Sequence, residues 1–186
     1  MSTAESVGEF SARELRDTFG LFPTGVAIIT AQASNGERLG LTVSSFNSVS
    51  IDPPLVLFSV AKNAKSIDGW ENIKQFAVNI LGENQSELST RFAKALTDKW
   101  QGLDPLQAKV IDAPVIRDAL ASLECELWTK YDGGDHIILI GKVLHFSRVS
   151  QDNPRPLLFA TGRYRRLDSG TPIETPFDVS HLLHGW

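Results

Sequence analysis

The chain has 186 residues, of which 42% are hydrophobic and 22% are charged, and its formal net charge is −4. These values are typical of a globular protein with one core, so we expect a single domain over residues 1–186, with its core at about 11–167 and a C-terminal tail at 168–186. Lysines and arginines are scattered along the chain, which argues against a nucleic-acid ligand.

Cys125 is the one cysteine of the chain. A lone cysteine excludes an intrachain disulfide framework and fits a reducing compartment, and we expect it to be a buried strand residue rather than a nucleophile. The N-terminal residues are polar and acidic, unlike a secretory signal. No apolar run approaches the roughly 20 residues that span a bilayer. We therefore expect a cytoplasmic protein without a membrane segment.

The first elements are marked by local signals. Ser11 and Glu14 form a capping-box pattern, which predicts a short helix through Phe19. Residues 26–30 are a β-branched run, and Asn35 with Gly36 then indicates a hairpin turn. The next predicted strand covers residues 39–50 and stops at the two prolines that follow Asp52, because proline lacks the backbone donor of a central strand.

Two further apolar runs predict strands with helices beside them. Residues 55–60 are nearly all apolar, as expected of a strand buried on both faces, and residues 76–81 are a second such run. Residues 66–72 predict a short helix. Asn84 followed by Glu87 predicts the start of another helix, which places Leu88, Phe92 and Ala95 on one face.

The second half of the chain begins with an irregular segment at residues 97–114, for which we expect a long loop. A hairpin is predicted from residues 123–131 and 137–149 around a turn at 132–135, and residues 157–159 form a last short strand. Six or seven short strands with few helices favour a mainly β fold, a closed antiparallel barrel, over a parallel α/β sheet. The tail is either disordered or packed on a partner subunit.

Several familiar site signatures are missing from this sequence. It has no glycine-rich dinucleotide fingerprint, phosphate-binding loop, pair of closely spaced cysteines or serine-nucleophile elbow. His181 and His184 have a spacing found in metal sites, but the tail around them offers no further ligands, so we predict no metal.

A set of ordered motifs carries the specific information. They are residues 22–26 (FPTGV), 41–46 (LTVSSF), 48–50 (SVS), 53–55 (PPL), 61–66 (AKNAKS), 76–81 (FAVNIL), 134–136 (GDH) with Gly141 and Val143, and 156–159 (PLLF) with Gly162 and Tyr164. From about Leu15 to Leu167 the chain resembles the short-chain flavin reductase family. One departure is Leu41, where many members of that family carry methionine.

The resemblance implies a fold, an activity and partners. The fold would be the FMN-binding split barrel, a Greek-key-like antiparallel barrel that forms a homodimer. The activity would be NAD(P)H-dependent reduction of free or loosely bound FAD or FMN by direct hydride transfer. The reduced flavin would then supply a partner monooxygenase that acts on aromatic compounds. No motif separates FAD from FMN, or NADH from NADPH.

The resemblance also implies a flavin site, because a flat ring with a polar edge and a phosphate needs small residues and donors around it. The ring and ribityl positions would be Thr42, Ser44 and Ser45, and the next strand edge would add Ser59, Val60 and Ala61. Phosphate candidates are Lys65, Ser66 and Arg91, because charge-assisted bonds to phosphate are strong. Phe92 completes the predicted flavin set.

His136 is the predicted catalytic residue, since the matching histidine of the family lies at the nicotinamide site and docks NAD(P)H over the flavin. It is not an obligatory proton donor, because hydride transfer between stacked rings depends mainly on proximity and orientation. The rest of the predicted nicotinamide side comprises Phe159, Ala160, Thr161, Gly162 and Tyr164. Ordinary roles compete with these predictions: surface positions for the hydroxyls and charges, a turn for His136, and core packing for Phe159.

Two other functions stay open. The same barrel could hold a flavin without turnover, as a storage protein or sensor. It could also be an oxidase resembling the pyridoxine-phosphate type, although the GDH motif at residues 134–136 favours the reductase.

Overall fold

A computed structural model describes residues 10–95, 98–150 and 154–168. Its helices are α1 (Ala12–Phe19), α2 (Ile67–Glu71) and α3 (Ser86–Ala93), and a 3₁₀ turn at Glu83–Gln85 precedes α3. Within these described stretches, the helices are too short or too polar to cross a membrane. The strands are β1 (Thr24–Gly25), β2 (Ala27–Gln32), β3 (Arg38–Val43), β4 (Asn47–Ile51), β5 (Pro54–Ala61), β6 (Gln75–Ile80), β7 (Leu106–Gln107), β8 (Pro114–Val115), β9 (Ala121–Gly133), β10 (His136–Arg148), β11 (Leu158–Ala160) and β12 (Arg163–Arg165).

Seven strands form the main antiparallel sheet, in the order β3-β2-β6-β9-β10-β5-β4. Its two edge strands, β3 and β4, are consecutive in the chain and only residues 44–46 lie between them. Three residues span at most about 10 Å. The sheet must therefore curl until its two edges approach each other.

The prediction of one strand over residues 39–50 is wrong, because β3 and β4 lie on opposite edges of the sheet. Asn47 and Leu57 form the last register pair of β4 with β5. Beyond that pair, the hydroxyl of Ser45 accepts the main-chain N–H of Ser59 at 3.0 Å. A side chain thus replaces the backbone ladder where the chain passes between the two edges.

The main core fills the inner side of the curled sheet, with Phe58, Phe76 and Trp70 fully buried. The prediction that residues 55–60 are buried on both faces is wrong: inward residues such as Phe58 are buried, whereas Leu57 and the other residues that alternate with them are half-buried on the outer face. Cys125 is buried in β9, as predicted. Burial, with a smaller effect of Glu124, raises the pKa of its thiol to about 12.

The first helix and both predicted hairpins are confirmed. Ser11 and Glu14 make the reciprocal capping-box bonds of α1. Gly36, with a φ of 83°, closes the β2–β3 hairpin. The β9–β10 hairpin turns through only two residues, Gly134 and Asp135, and the φ of 78° at Gly134 suits glycine there.

The predicted start of α3 at Asn84 is wrong, because a 3₁₀ turn precedes the helix and Gln85 closes it. Gln85 Oε1 accepts the main-chain N–H of Gly82 at 3.0 Å. The helix ends at Ala93, so Ala95 lies beyond it. Leu88 and Phe92 belong to a second apolar cluster, between α3 and the main sheet.

A second sheet has the strand order β1-β11-β12. Of its three strands, the sequence predicts only β11, as the short strand at residues 157–159. Thr161 and Gly162 turn the chain between β11 and β12, with φ values of 51° and 72°. The predicted loop at 97–114 also contains β7 and the first residue of β8. The buried carboxylate of Glu124 holds this segment by accepting the main-chain N–H groups of Lys109 and Val110. The predicted tail beyond Asp168, with His181 and His184, lies outside the described residues.

Candidate functional site

One group of predicted site residues shares the outer face of the main sheet. Ile137 and Leu139 point into the core, so His136 and Ile138, which alternate with them, face outward. In the register of β10 with β5, His136 lies opposite Ala61 and Ile138 lies opposite Ser59. The structure therefore places the predicted nicotinamide histidine beside two predicted flavin residues.

The imidazole of His136 is held by its neighbour in the chain. Its Nδ1 donates to Asp135 Oδ1 at 2.7 Å, which leaves Nε2 for another partner. The hydrogen bond from His136, followed by the charges of His136 and then Arg16, lowers the pKa of the Asp135 carboxyl. The turn is fixed on its other side by Lys62, whose ammonium lies 2.6 Å from Asp132 Oδ2.

The segment between β3 and β4 supplies two of the predicted ring contacts. Ser44 is exposed. The oxygen of Ser45 accepts the N–H of Ser59, so its own hydroxyl proton remains to be donated. These are short, polar side chains at the place where the two sheet edges meet, as a ligand with a polar edge requires.

A chain of hydrogen bonds connects Thr42 to Tyr164, the one from the predicted flavin set and the other from the predicted nicotinamide set. Thr42 Oγ1 donates to the carbonyl of Ser89 on α3 at 2.6 Å. The fully buried hydroxyl of Ser89 lies 2.8 Å from the Tyr164 hydroxyl, and Thr90 Oγ1 donates to the same oxygen at 3.3 Å. The ring of Tyr164 also packs edge to face against Phe159, with centroids 5.7 Å apart.

Helix α1 brings the two groups to one side of the molecule. The carbonyl of Gly20, at its C-terminal end, accepts the N–H of Thr161 at 2.7 Å. Arg16 on the same helix acts electrostatically on Asp135, the neighbour of His136. The turn at Thr161 and the turn that precedes His136 therefore border the same helix.

The predicted phosphate residues are divided between two grooves. Lys65 and Ser66 line a groove of about 960 Å³. Arg91 lines an adjoining groove of about 610 Å³, where its guanidinium also donates to the carbonyl of Gln101, and Lys94 and Asp98 line both grooves. The structure thus places Lys65 and Ser66 in one groove and Arg91 in the groove next to it. The Ser66 hydroxyl accepts the indole N–H of Trp70 at 3.2 Å.

Four further predicted contacts have little side chain to offer a ligand. The side chains of Val60 and Phe92 are fully buried. Val60 therefore has only its main chain to offer, and the ring of Phe92 packs against Gly40 of β3. Ala160 is half-buried at the end of β11. A Cβ at Gly162 would meet no protein atom within 4 Å, and the positive φ of this residue favours glycine.

Sequence reasoning missed Ser89, which joins the two predicted sets. A signal existed: Gln85, Ser89 and Phe92 are buried at helical spacing, so the periodicity of α3 places the serine on its inner face. A polar residue on a buried helix face needs a hydrogen-bond partner. The identity of that partner, Tyr164, depends on a tertiary contact 75 residues away.

We expect Ser89 and Tyr164 to be energetically coupled. Ser89→Ala and Tyr164→Phe each remove one hydroxyl of the pair. The double variant should be less destabilised than the sum of the single changes by about 1 kcal/mol, the net value of a neutral hydrogen bond. Urea denaturation of the four proteins measures the coupling. Additive losses within about 0.3 kcal/mol would contradict it.

The arrangement suits a flavin. Exposed Ser44 and the free proton of Ser45 could meet the polar edge of an isoalloxazine, and Lys65 with Ser66 could hold the flavin phosphate. His136 lies on the same face of the sheet, where a second ring could stack.

Comparison with known proteins identifies the family of the chain. Residues 19–168 match the family described as a flavin reductase like domain. The chain is 35% identical over 177 residues to the flavin-dependent monooxygenase reductase subunit HsaB of Mycobacterium tuberculosis (strain ATCC 25618 / H37Rv), covering 94% of each protein. It is 39% identical over 137 residues to the stachydrine N-demethylase reductase subunit Stc3 of Rhizobium meliloti (strain 1021), covering 74% of this chain and 59% of that relative. The chain spans about half the length of the Rhizobium meliloti relatives that it matches.

A solved structure extends the likeness to three dimensions. The NADH:FAD oxidoreductase SgcE6 of Streptomyces globisporus C-1027, in complex with NAD and FAD fragments, superposes with a TM-score of 0.81 at 37% identity, covering 91% of this chain and 100% of that one. This confirms the mainly β, antiparallel fold predicted from the sequence.

Proposed function

Because this chain belongs to the family of flavin reductase-like domains, we propose that it reduces FAD or FMN with NADH or NADPH and releases the reduced flavin to a partner monooxygenase. The observation that carries the proposal is the pairing of His136 with Ala61, and of Ile138 with Ser59, on one outer face of the sheet. The relatives named as reductase subunits of monooxygenases support the choice of partner. Aromatic compounds are the proposed substrates of that monooxygenase.

The residues of this chain bind and orient rather than form covalent bonds. A bound flavin supplies the ring that accepts a hydride from NAD(P)H. The hydroxyls of Ser44 and Ser45 would donate hydrogen bonds toward the polar edge of the ring, where negative charge develops. His136, held through Nδ1 by Asp135, presents Nε2 to the nicotinamide and fixes its position over the site. Lys65 and Ser66 hold the phosphate.

The proposed assembly is a homodimer, and the proposed location is the cytoplasm, where NAD(P)H is available. The outer face that carries His136 continues into half-buried Ile138, Ile140 and Leu57, and Tyr131 on β9 lies opposite Ile138 with 58% of its surface exposed. An apolar sheet face of this kind is covered in most proteins. Sedimentation equilibrium should give twice the monomer mass, and a monomer at micromolar concentration would exclude the assembly.

Turnover tests the function directly. Purified protein is mixed with NADH or NADPH and with catalytic FAD or FMN, and the absorbance of the reduced nicotinamide is followed under air. We expect flavin-dependent oxidation with at least one of the four combinations. Flavin binding without turnover would instead indicate a storage or sensor protein, and turnover of pyridoxine phosphate in place of NAD(P)H would indicate the oxidase.

Replacement of His136 should separate the two ligands. His136→Ala is expected to lower kcat/KM for NADH at saturating flavin about tenfold, equivalent to about 1.4 kcal/mol, because the nicotinamide loses its positioning contact. The flavin dissociation constant should change by less than about threefold, well under that energy. Asp135→Asn, which keeps an acceptor for Nδ1, should have a smaller effect. Equal losses for nicotinamide and flavin would count against the assigned role.

A further inference from the structure

The β11–β12 hairpin carries the proposed nicotinamide side of the site, apart from His136, and its backbone ladder is short. β11 and β12 have three residues each, β1 has two, and β12 is an edge of this small sheet. Strands as short as these are only marginally stable by themselves. The position of the hairpin therefore depends on contacts outside its own ladder.

Two such contacts hold the turn and the middle of the hairpin. The N–H of Thr161, in the turn, donates to the carbonyl of Gly20 at 2.7 Å. The hydroxyl of Tyr164, in β12, lies 2.8 Å from the Ser89 hydroxyl on α3. Neither contact reaches the base, which is the end where the chain enters and leaves the hairpin.

Glu83, in the 3₁₀ turn before α3, joins both sides of this base. Its Oε1 accepts from Nε of Arg155, three residues before β11, at 2.8 Å. Its Oε2 lies 3.8 Å from Nε of Arg166, which directly follows β12. The main-chain N–H of Glu83 also donates to the Arg155 carbonyl at 2.9 Å. Arg155 in turn reaches across the base, since its guanidinium donates to the carbonyl of Leu167 at 3.2 Å.

The carboxylate of Glu83 is better shielded than that of an ordinary surface ion pair. The side chain is 23% exposed, and its Oε2 is buried without accepting a hydrogen bond from any residue that the structure describes. A buried oxygen without a partner is costly, which favours an approach of the Arg166 guanidinium to it. The hydrogen bond from Arg155, aided by the charges of Arg155 and Arg166, lowers the pKa of Glu83 despite its burial. The carboxylate is therefore charged at neutral pH.

We propose that Glu83 is a positioning residue for nicotinamide binding, because it clamps the two ends of the β11–β12 hairpin through Arg155 and Arg166. The inference rests on the proposed function, since the hairpin carries the proposed nicotinamide side. Without the clamp, NAD(P)H has to order the hairpin as it binds, and the entropy of that ordering opposes binding. A saturating nicotinamide concentration restores the ordered hairpin, so KM rises while kcat is unchanged.

The test measures the oxidation of NADH and of NADPH at saturating flavin. Glu83→Ala should raise KM for the nicotinamide about fivefold, with kcat and the flavin dissociation constant within about twofold of the wild type. Glu83→Gln keeps an oxygen for Arg155 but loses the charge that faces Arg166, so its KM should rise only about twofold. Asp104→Ala is the matched control, because it breaks an exposed ion pair with Arg117, of 2.6 Å, outside the hairpin. Its KM should equal that of the wild type.

Arg166→Gln distinguishes a clamp from a direct contact with the ligand. Alone, this change should raise KM less than Glu83→Ala does, because Arg155 still holds the base. Combined with Glu83→Ala, it should raise KM no further, since the two residues act through one contact. A further increase in the double variant would show that Arg166 acts on the nicotinamide itself, and it would overturn the clamp.

A merely structural role of Glu83 gives a different result. It would lower kcat by reducing the fraction of active protein and leave KM unchanged, and that outcome would overturn the proposal, as would unchanged kinetics. If Glu83→Ala is insoluble, Glu83→Gln and its combination with Arg166→Gln give the same comparison. A wild type that oxidises neither nicotinamide in the presence of flavin would refute the proposed function and this inference with it. An active wild type with unchanged variants would refute this inference alone.

Discussion

Asn79→Leu should lower the free energy of unfolding by about 4 kcal/mol, because it leaves several buried polar groups without partners. Asn79 is fully buried in β6. Its amide nitrogen donates to Ile28 O at 2.9 Å and Thr30 Oγ1 at 3.1 Å. Its oxygen accepts the N–H of Ile116 at 2.9 Å and the hydroxyl of Ser122 at 3.3 Å. One side chain thereby joins β2, β6 and β9 to the segment that follows β8.

Urea denaturation followed by circular dichroism measures this loss. Asn63→Leu is the matched control, because it makes the same chemical change at an exposed residue, and it should alter stability by less than about 0.5 kcal/mol. If Asn79→Leu is produced only as insoluble protein, Ser122→Ala removes a single bond of the set and should cost about 1 kcal/mol. A loss below about 1 kcal/mol for Asn79→Leu would show that the network is not needed for stability.

Gly141→Ala should destabilise the protein by about 2 kcal/mol through overpacking. A Cβ at Gly141 would lie 2.2 Å from Cζ of Phe76 and 3.1 Å from Cβ of Cys125. The ring of Phe76 cannot move away freely, because it packs against Phe58, which in turn packs against Trp70. A methyl group at this position must therefore displace a packed aromatic cluster.

Gly25→Ala tests whether the added methyl group itself is responsible. A Cβ at Gly25 would meet nothing within 4 Å, so this variant should stay within about 0.5 kcal/mol of the wild type. The two thermal or urea midpoints are compared directly. Equal stabilities of the two alanine variants would show that the core around Phe76 has room for the methyl group.

The elements predicted correctly from the sequence are those with complete local signals. The capping box at Ser11 and Glu14 and the glycines at residues 36 and 134 act within four residues of the chain. The local conformation at these positions does not depend on the rest of the fold. Gly141 was recognised only as part of a motif, and the Phe76 ring above it supplies the physical reason.

The errors occur where tertiary contacts decide. Residues 44–46 mix hydroxyl and apolar side chains as the residues of β3 and β4 do, and the passage of the chain from one sheet edge to the other, with Ser45 bonded to Ser59, divides the predicted strand there. The connection from Thr42 through Ser89 to Tyr164 joins residues 47 and 75 positions apart.

The side chains of Lys99 and Trp100 affect self-association at one edge of the main sheet. β3 is an edge strand, and such a strand offers unpaired carbonyls on which another molecule can add its own strand. Here the carbonyls of Arg38 and Gly40 are already taken by the indole N–H and the ammonium. This blocks the outermost strand as a template for intermolecular β-pairing, and it protects the chain against aggregation at that border of the sheet.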